Sequence, residues 1–283
     1  MLQIAGAVFF AVMFLSLTLL SSGRAADIGN FNTADGATAL DSVTTGSDKT
    51  GIGYAALTDD KSGYRNTAIG AYSLLKNISG IDNTAAGWSA LYSNTQGTAN
   101  TAVGYQALVS NTTDISNPNI SGSGNTATGF QALLSNSTGI YNTAAGYARF
   151  YHNTTGTYNT ATGYLSLYSN TIGNYNTAIG INSLLKNTIG DSNIGLGYAA
   201  GSNLTTGNNN IDIANTGVAG EAGKIRIGAK STHAATFIAG ISGKTVASGV
   251  GVIINSSGQL GTVQSSARYK DNIKPMTRRA KLS

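Results

Sequence analysis

Apolar and polar positions in this chain repeat with a period far longer than that of a helix or a strand. The phrase Asn-Thr-Ala-x-Gly begins at Asn66, Asn83, Asn100, Asn125, Asn142, Asn159 and Asn176, in steps of 17 residues with one step of 25. The same frame takes in Asn32-Thr-Ala-Asp-Gly36 and Lys49-Thr-Gly-Ile-Gly53 upstream. Downstream it takes in Asn193-Ile-Gly-Leu-Gly197 and a decayed copy at Asn210. After the glycine comes an aromatic residue in most copies, such as Tyr54, Trp88, Tyr105 and Phe130. Three positions on stands Leu (Leu57, Leu74, Leu91, Leu108), then a second large residue such as Leu75 or Tyr92. Asn (Asn77, Asn94, Asn111) and a second Gly (Gly80, Gly97) close the unit.

A unit this short cannot bury its apolar side alone, whereas stacked copies bury a continuous core. The pattern therefore predicts an all-β or mainly β fold, a β-solenoid with 17-residue coils spanning residues 26–223. Thr-Ala-x-Gly reads as one short strand per coil. The aromatic, Leu and second apolar positions fall at i, i+3 and i+4, which is helical spacing. They predict a short helical turn opposite the strand, a bent second strand being the alternative. Eleven coils at about 4.8 Å make a rod of roughly 50 Å. The first Gly column marks a positive φ or a close approach, and the Asn and second Gly read as turn formers. The eight extra residues of the long step, placed near Asn117–Gly124, predict an external loop. Beyond residue 223 the repeat stops, and alternating segments such as Lys224-Ile-Arg-Ile-Gly and Gly249-Val-Gly-Val-Ile-Ile predict a short β connector over 224–264.

Residues 4–20 are almost wholly apolar and lead into Ser21-Ser-Gly-Arg-Ala-Ala-Asp27. This reads as a secretory signal peptide over 1–25, cut after Ala25. An uncleaved anchor is the other reading, since about 20 residues span a bilayer. Either places the remainder outside the cell, secreted or on the surface, with the N-terminal segment as the sole membrane contact.

Composition narrows the chemistry. Charged residues are 10% of the chain and Cys is absent, so there is no disulfide framework and no thiolate site. His152 and His233 are far apart, which argues against a metal centre, and no cofactor motif is present. Gly195-Leu-Gly197 is a copy of the repeat, with no strand–loop–helix unit around it. The net charge of +5 comes from residues 268–283, with six basic side chains against Asp271, and the rest of the chain is neutral. A nucleic-acid partner is thereby disfavoured. The scattered Asp residues, with Asp59-Asp60 read as a turn, offer no carboxylate pair for sugar cleavage. The Thr column (Thr33, Thr50, Thr67, Thr84, Thr101, Thr126, Thr143, Thr160, Thr177) reads as a β-branched ladder, partly buried. The sharper alternative is a flat hydroxyl array that binds ice or a glycan.

The stretch Ser265-Ser-Ala-Arg-Tyr-Lys270-Asp-Asn-Ile resembles the opening of the self-cleaving intramolecular chaperone that ends endosialidase-type phage tail spikes. The segment from about Ile225 to Thr262 and the Asn-Thr-Ala-x-Gly repeats are similar to bacterial tail-fibre-domain proteins and, more distantly, to the heads of trimeric autotransporter adhesins. The resemblance implies a homotrimer and cleavage of the Gln264–Ser265 bond, with Ser265 as nucleophile and Lys270 as its base. Residues 265–283 hold only the start of such a chaperone, too few to bury a core. The dyad is thus expected to be inactive here, and the chain is not expected to be an enzyme. The expected function is structural and adhesive, a rod attaching to a cell, matrix or glycan receptor.

Overall fold

The computed structural model describes residues 26–27, 30–113, 122–148, 150–239 and 250–262. It divides into two units, up to Ala234 and from Ala235 onward.

The first unit is a β-solenoid. Its strands are β1 (Ala26–Asp27), β2 (Thr33–Asp35), β3 (Thr50–Ile52), β4 (Thr67–Ile69), β5 (Thr84–Ala86), β6 (Thr101–Val103), β7 (Thr126–Thr128), β8 (Thr143–Ala145), β9 (Thr160–Thr162), β10 (Thr177–Ile179), β11 (Ile194–Leu196), β12 (Ile211–Ile213) and β13 (Ile225–Ile227). They form one sheet in chain order. From β2 to β13 the pairing is parallel, with Thr50 on Thr67, Thr67 on Thr84 and Thr84 on Thr101. At the opposite end β1 pairs antiparallel with β2. Side chains alternate along a strand, so the middle residue points inward. Ala68, Ala85, Ala102, Ala127, Ala144, Ala161 and Ala178 are fully buried there. They meet the Leu column (Leu57 through Leu184, with Phe150 in one coil), also fully buried. Gly51 takes this position in its coil, where a Cβ would come within 3.2 Å of the Leu40 side chain.

The predicted helical turn is absent: no helix occurs among the described residues. The segment after each strand is a turn with Leu in the left-handed region, as at Leu57 (φ 53) and Leu91 (φ 53), and with the residue two before it there as well. L-residues rarely adopt this conformation. Here the Leu aims its backbone N–H at the next coil and the residue two before it at the preceding one, as Ala55 N–H does to Ala37 O at 2.9 Å. Leu57 N–H donates to Ser73 O at 3.1 Å, and Leu74 N–H donates to Ala90 O at 2.9 Å. The i, i+3, i+4 spacing thus arises from a tight bend closed by inter-coil bonds.

The two glycine columns serve different ends. Gly53 and its equivalents have φ near +124, a conformation that favours glycine. Gly80 has no such φ, but a Cβ on it would lie 2.5 Å from Gly97 O in the next coil.

The asparagines read as turn formers, Asn77 and its equivalents, are buried in one ladder, and the Asn that opens each repeat is buried in a second. In the strand-side column, Asn83 N–H donates to Asn66 Oδ1 at 3.0 Å and Asn83 Nδ2 to Gly97 O at 2.8 Å. In the opposite column, Asn94 Nδ2 donates to Asn77 Oδ1 at 2.9 Å and to Gly97 O at 3.0 Å. Each bond contributes on the order of 1 kcal/mol, and an unsatisfied amide here costs more.

Two boundaries differ from the sequence reading. Gly122 O accepts from Asn100 Nδ2 and Asn111 Nδ2 as Gly97 O does one coil earlier. The frame therefore resumes at Gly122, and the eight extra residues are 114–121 rather than 117–124. They lie outside the described residues, as does the predicted signal over 1–25. At the other end, β13 pairs in parallel register with β12, which carries the solenoid sheet past residue 223. The second unit contains an antiparallel pair, β14 (Val252–Ile254) and β15 (Leu260–Thr262), within the predicted connector. Every residue of the pair is exposed.

Candidate functional surface

The solenoid interior is closed, so ligand contact falls to the columns that point outward. The Thr column is one of them. Its residues stack in register on the outer sheet face; Thr84, Thr126 and Thr143 are exposed and the other six half-buried. The neighbouring outward column, third in each strand, carries Ile52, Ile69, Val103 and Ile179, all exposed. The face is thus an even mixture of hydroxyl, methyl and aliphatic groups.

Past the first glycine column runs a file of aromatic rings. Trp88, Tyr105, Phe130 and Tyr147 stack with centroids 5.0–5.2 Å apart and planes within 11° of parallel. Parallel stacking covers the ring faces and leaves edges and hydroxyls outward. The order changes at Trp88. Tyr72 meets Trp88 nearly at right angles, with centroids 6.1 Å apart, and Tyr54 meets Tyr72 likewise at 5.3 Å. A shallow hollow of about 460 Å³ opens there, lined by Tyr72, Trp88, Ser89, Tyr92, Gln106 and Val109. Gln106 Oε1 accepts from Gln131 Nε2 at 3.0 Å, and Lys76 Nζ lies 5.1 Å above the Tyr92 ring. A second file, Tyr141, Tyr158 and Tyr175, stacks at 5.1–5.2 Å on the residue before the Asn column.

Among the described residues, charged groups enter the interior twice. Lys49 stands in the strand-side Asn column and Asp60 in the opposite one, and their side chains bond at 3.0 Å with both fully buried. Asp60, read from sequence as part of a turn, is thus a core residue. Asp212 occupies the buried alanine column on β12, 1% exposed, with neither carboxylate oxygen hydrogen-bonded. Burial pushes its carboxyl up to about 6, with the nearby Glu221 charge acting in the same direction and Arg226 against. No sequence signal marked Asp212 beyond its departure from Ala in that column. No cluster of His, Asp and Glu suited to a metal occurs among the described residues. Ser265 and Lys270 lie outside them, so the structure does not bring the dyad together or separate it.

No family model, curated protein or solved structure matches this chain.

Proposed function

We propose that this chain is the shaft of an extracellular attachment fibre, holding a cell, matrix or glycan surface through repeated outward files of aromatic and aliphatic side chains. The observation that carries the reading is the Trp88 hollow, where the parallel stack ends and Tyr72, Trp88 and Tyr92 line a surface with Ser89 and Gln106. Stacking on aromatic faces with a few placed polar groups is how shallow sites hold a planar or sugar-like ligand. Repetition along the rod multiplies weak contacts. The homotrimer and the tail-fibre relationship rest on the resemblance, and secretion rests on the apolar N-terminal run. The homotrimer is supported by an outer sheet face of exposed Ile, Val and Thr and by an apolar hairpin exposed on both sides, since a lone two-stranded hairpin is marginal in water.

The test is binding of the purified chain to whole cells, matrix proteins and a glycan panel, alongside Trp88→Ala and Tyr72→Ala. Adhesion lost in both variants supports the reading. Binding unaffected by either, or none on any surface, counts against it. Light scattering of the same sample reads subunit number. The mass of the same sample beside Ser265→Ala and Lys270→Ala reads whether the Gln264–Ser265 bond is cut.

A second reading is favoured by the outward, in-register Thr file: an ice-binding face. Thermal hysteresis that disappears in the Thr84→Val, Thr101→Val, Thr143→Val triple variant supports it, and absence of hysteresis in the parent removes it.

A further inference from the structure

The last coil of the solenoid is shorter than the rest. From Ile211 to Ile225 it runs 14 residues instead of 17, yet the strands stay in register and Asp212 pairs with Arg226. The side chain of Arg226 turns to Glu221, donating from Nε to Oε1 at 2.9 Å and Oε2 at 3.1 Å. Glu221 is also tied down elsewhere. Its Oε1 accepts from Val218 N–H at 2.8 Å, and its backbone oxygen accepts from Asn210 Nδ2 at 2.8 Å. One residue thus joins the closing turn and β13 through its carboxylate and the end of the Asn ladder through its backbone oxygen.

Asp212 sits beneath this closure with no donor. The nearby Asn215 amide is already spent, its Nδ2 on Gly228 O at 2.7 Å and its Oδ1 on Gly217 N–H at 2.9 Å. Gly195 on β11 carries no charge, nor do Gly201, Leu204 and Gly217, which pack close to the carboxylate. The charged groups acting on Asp212 are Glu221 and Arg226, with Lys224 acting in turn on Glu221.

We propose that Asp212, Glu221 and Arg226 form a proton-sensitive clasp on the last coil, closed while Asp212 is protonated and loosened when ionised Asp212 competes with Glu221 for the Arg226 guanidinium. A protonated carboxyl tolerates the apolar column. An ionised one buried without a partner does not, and the cation that acts on it, from the paired position on β13, is the one that holds the closing turn. Drawing Arg226 inward releases the 218–221 turn. Acid therefore tightens this end of the rod and mild alkali loosens it, while the Asn-laddered coils between are indifferent.

Amide hydrogen exchange on the intact protein tests this, with rates corrected for intrinsic pH dependence. The reporters are Gly223 N–H, bonded to Asn208 O, and Gly228 N–H, bonded to Ile213 O; Leu91 and Leu108 N–H serve as mid-solenoid references. Between about pH 5 and about pH 8, reporter protection falls at least about fivefold relative to the references in the parent protein. In Asp212→Asn it stays high throughout, and Asp212→Ala, which restores the residue of the other coils, behaves the same way. Glu221→Gln loses protection at both pH values. Carboxyl carbon shifts of Asp212 titrate with a midpoint near 6. Protection independent of pH, an equal fall in Asp212→Asn and Asp212→Ala, or an Asp212 midpoint in the ordinary carboxylate range overturns the proposal.

Discussion

In the second coil, Asp60 Oδ1 accepts from Lys49 Nζ at 3.0 Å and from Gly63 N–H at 2.8 Å, while Oδ2 accepts from the Asn66 and Asn77 amides at 3.0 Å each. In the last, shortened coil, Asp212 is as deeply buried and accepts nothing. Both are single carboxylates in a stack otherwise lined by Ala, Leu and Asn. Asp60 replaces a ladder Asn and inherits its donors, and Lys49 replaces the partner Asn of the same coil, so charge is balanced where it arises. Asp212 replaces an alanine and inherits no donors at all. The tolerance of a solenoid for a buried charge is thus set by the column it falls in: the Asn columns come with amides aimed at them, and the Ala column does not.

The largest effect is expected from splitting the balanced pair. Lys49→Ala strands Asp60 and should cost about 3–5 kcal/mol in chemical denaturation, as removing one partner of a buried pair does. Lys49→Asn with Asp60→Asn rebuilds both ladders and should recover nearly all of it. A double variant as unstable as the single would show that the pair has a role the ladder cannot fill. Next comes Asp212. Its carboxyl is raised in the folded state from 3.8 to about 6, so the ionised form opposes folding. The Asp212 contribution to stability is greatest below about pH 4 and is lost as pH rises through 6, by about 2–3 kcal/mol at most. Asp212→Asn should remove that pH dependence and be the more stable protein at pH 8. Asn111→Ala breaks one rung between Asn94 and Asn136 and should cost about 1–2 kcal/mol. The smallest effect belongs to Arg65–Asp82, a surface pair at 2.6 Å with both side chains well exposed. Bonding to Arg65 holds Asp82 below the usual carboxylate range, yet solvent screens the pair. Arg65→Ala should leave the melting midpoint unchanged within error.

The spacing of Asn66, Asn83 and Asn100 made the coil length and the strand position legible, because every coil must meet its neighbour in the same register. The conformation opposite the strand was not legible. Leu57 and Leu74 at helical spacing look the same in sequence whether they sit on a helix or on a left-handed bend. Only the inter-coil bonds of their N–H groups decide between the two. Asn77 was legible as a repeat position but not as a ladder rung, since side-chain stacking between coils leaves no mark within one coil. Lys49 and Asp60 were visible only as departures from their columns. That they compensate one another required knowing that the two columns face each other across the core. The Trp88 hollow came from a change in ring orientation between Tyr72 and Tyr105, which no spacing records.

The hydrogen bonds between coils run along the stacking direction, from Leu57 N–H to Ser73 O and from Leu74 N–H to Ala90 O. Tension applied to the two ends of the solenoid therefore loads its contacts in series, one coil after another, as in a zipper. Each coil that peels away turns about 4.8 Å of stack into 17 residues of extended chain, a gain of roughly 50 Å. Such an element is mechanically soft and long in reach. Under a sustained pull it pays out chain in even increments, so a tether built from it lengthens and dissipates load before its attachment point feels the full force.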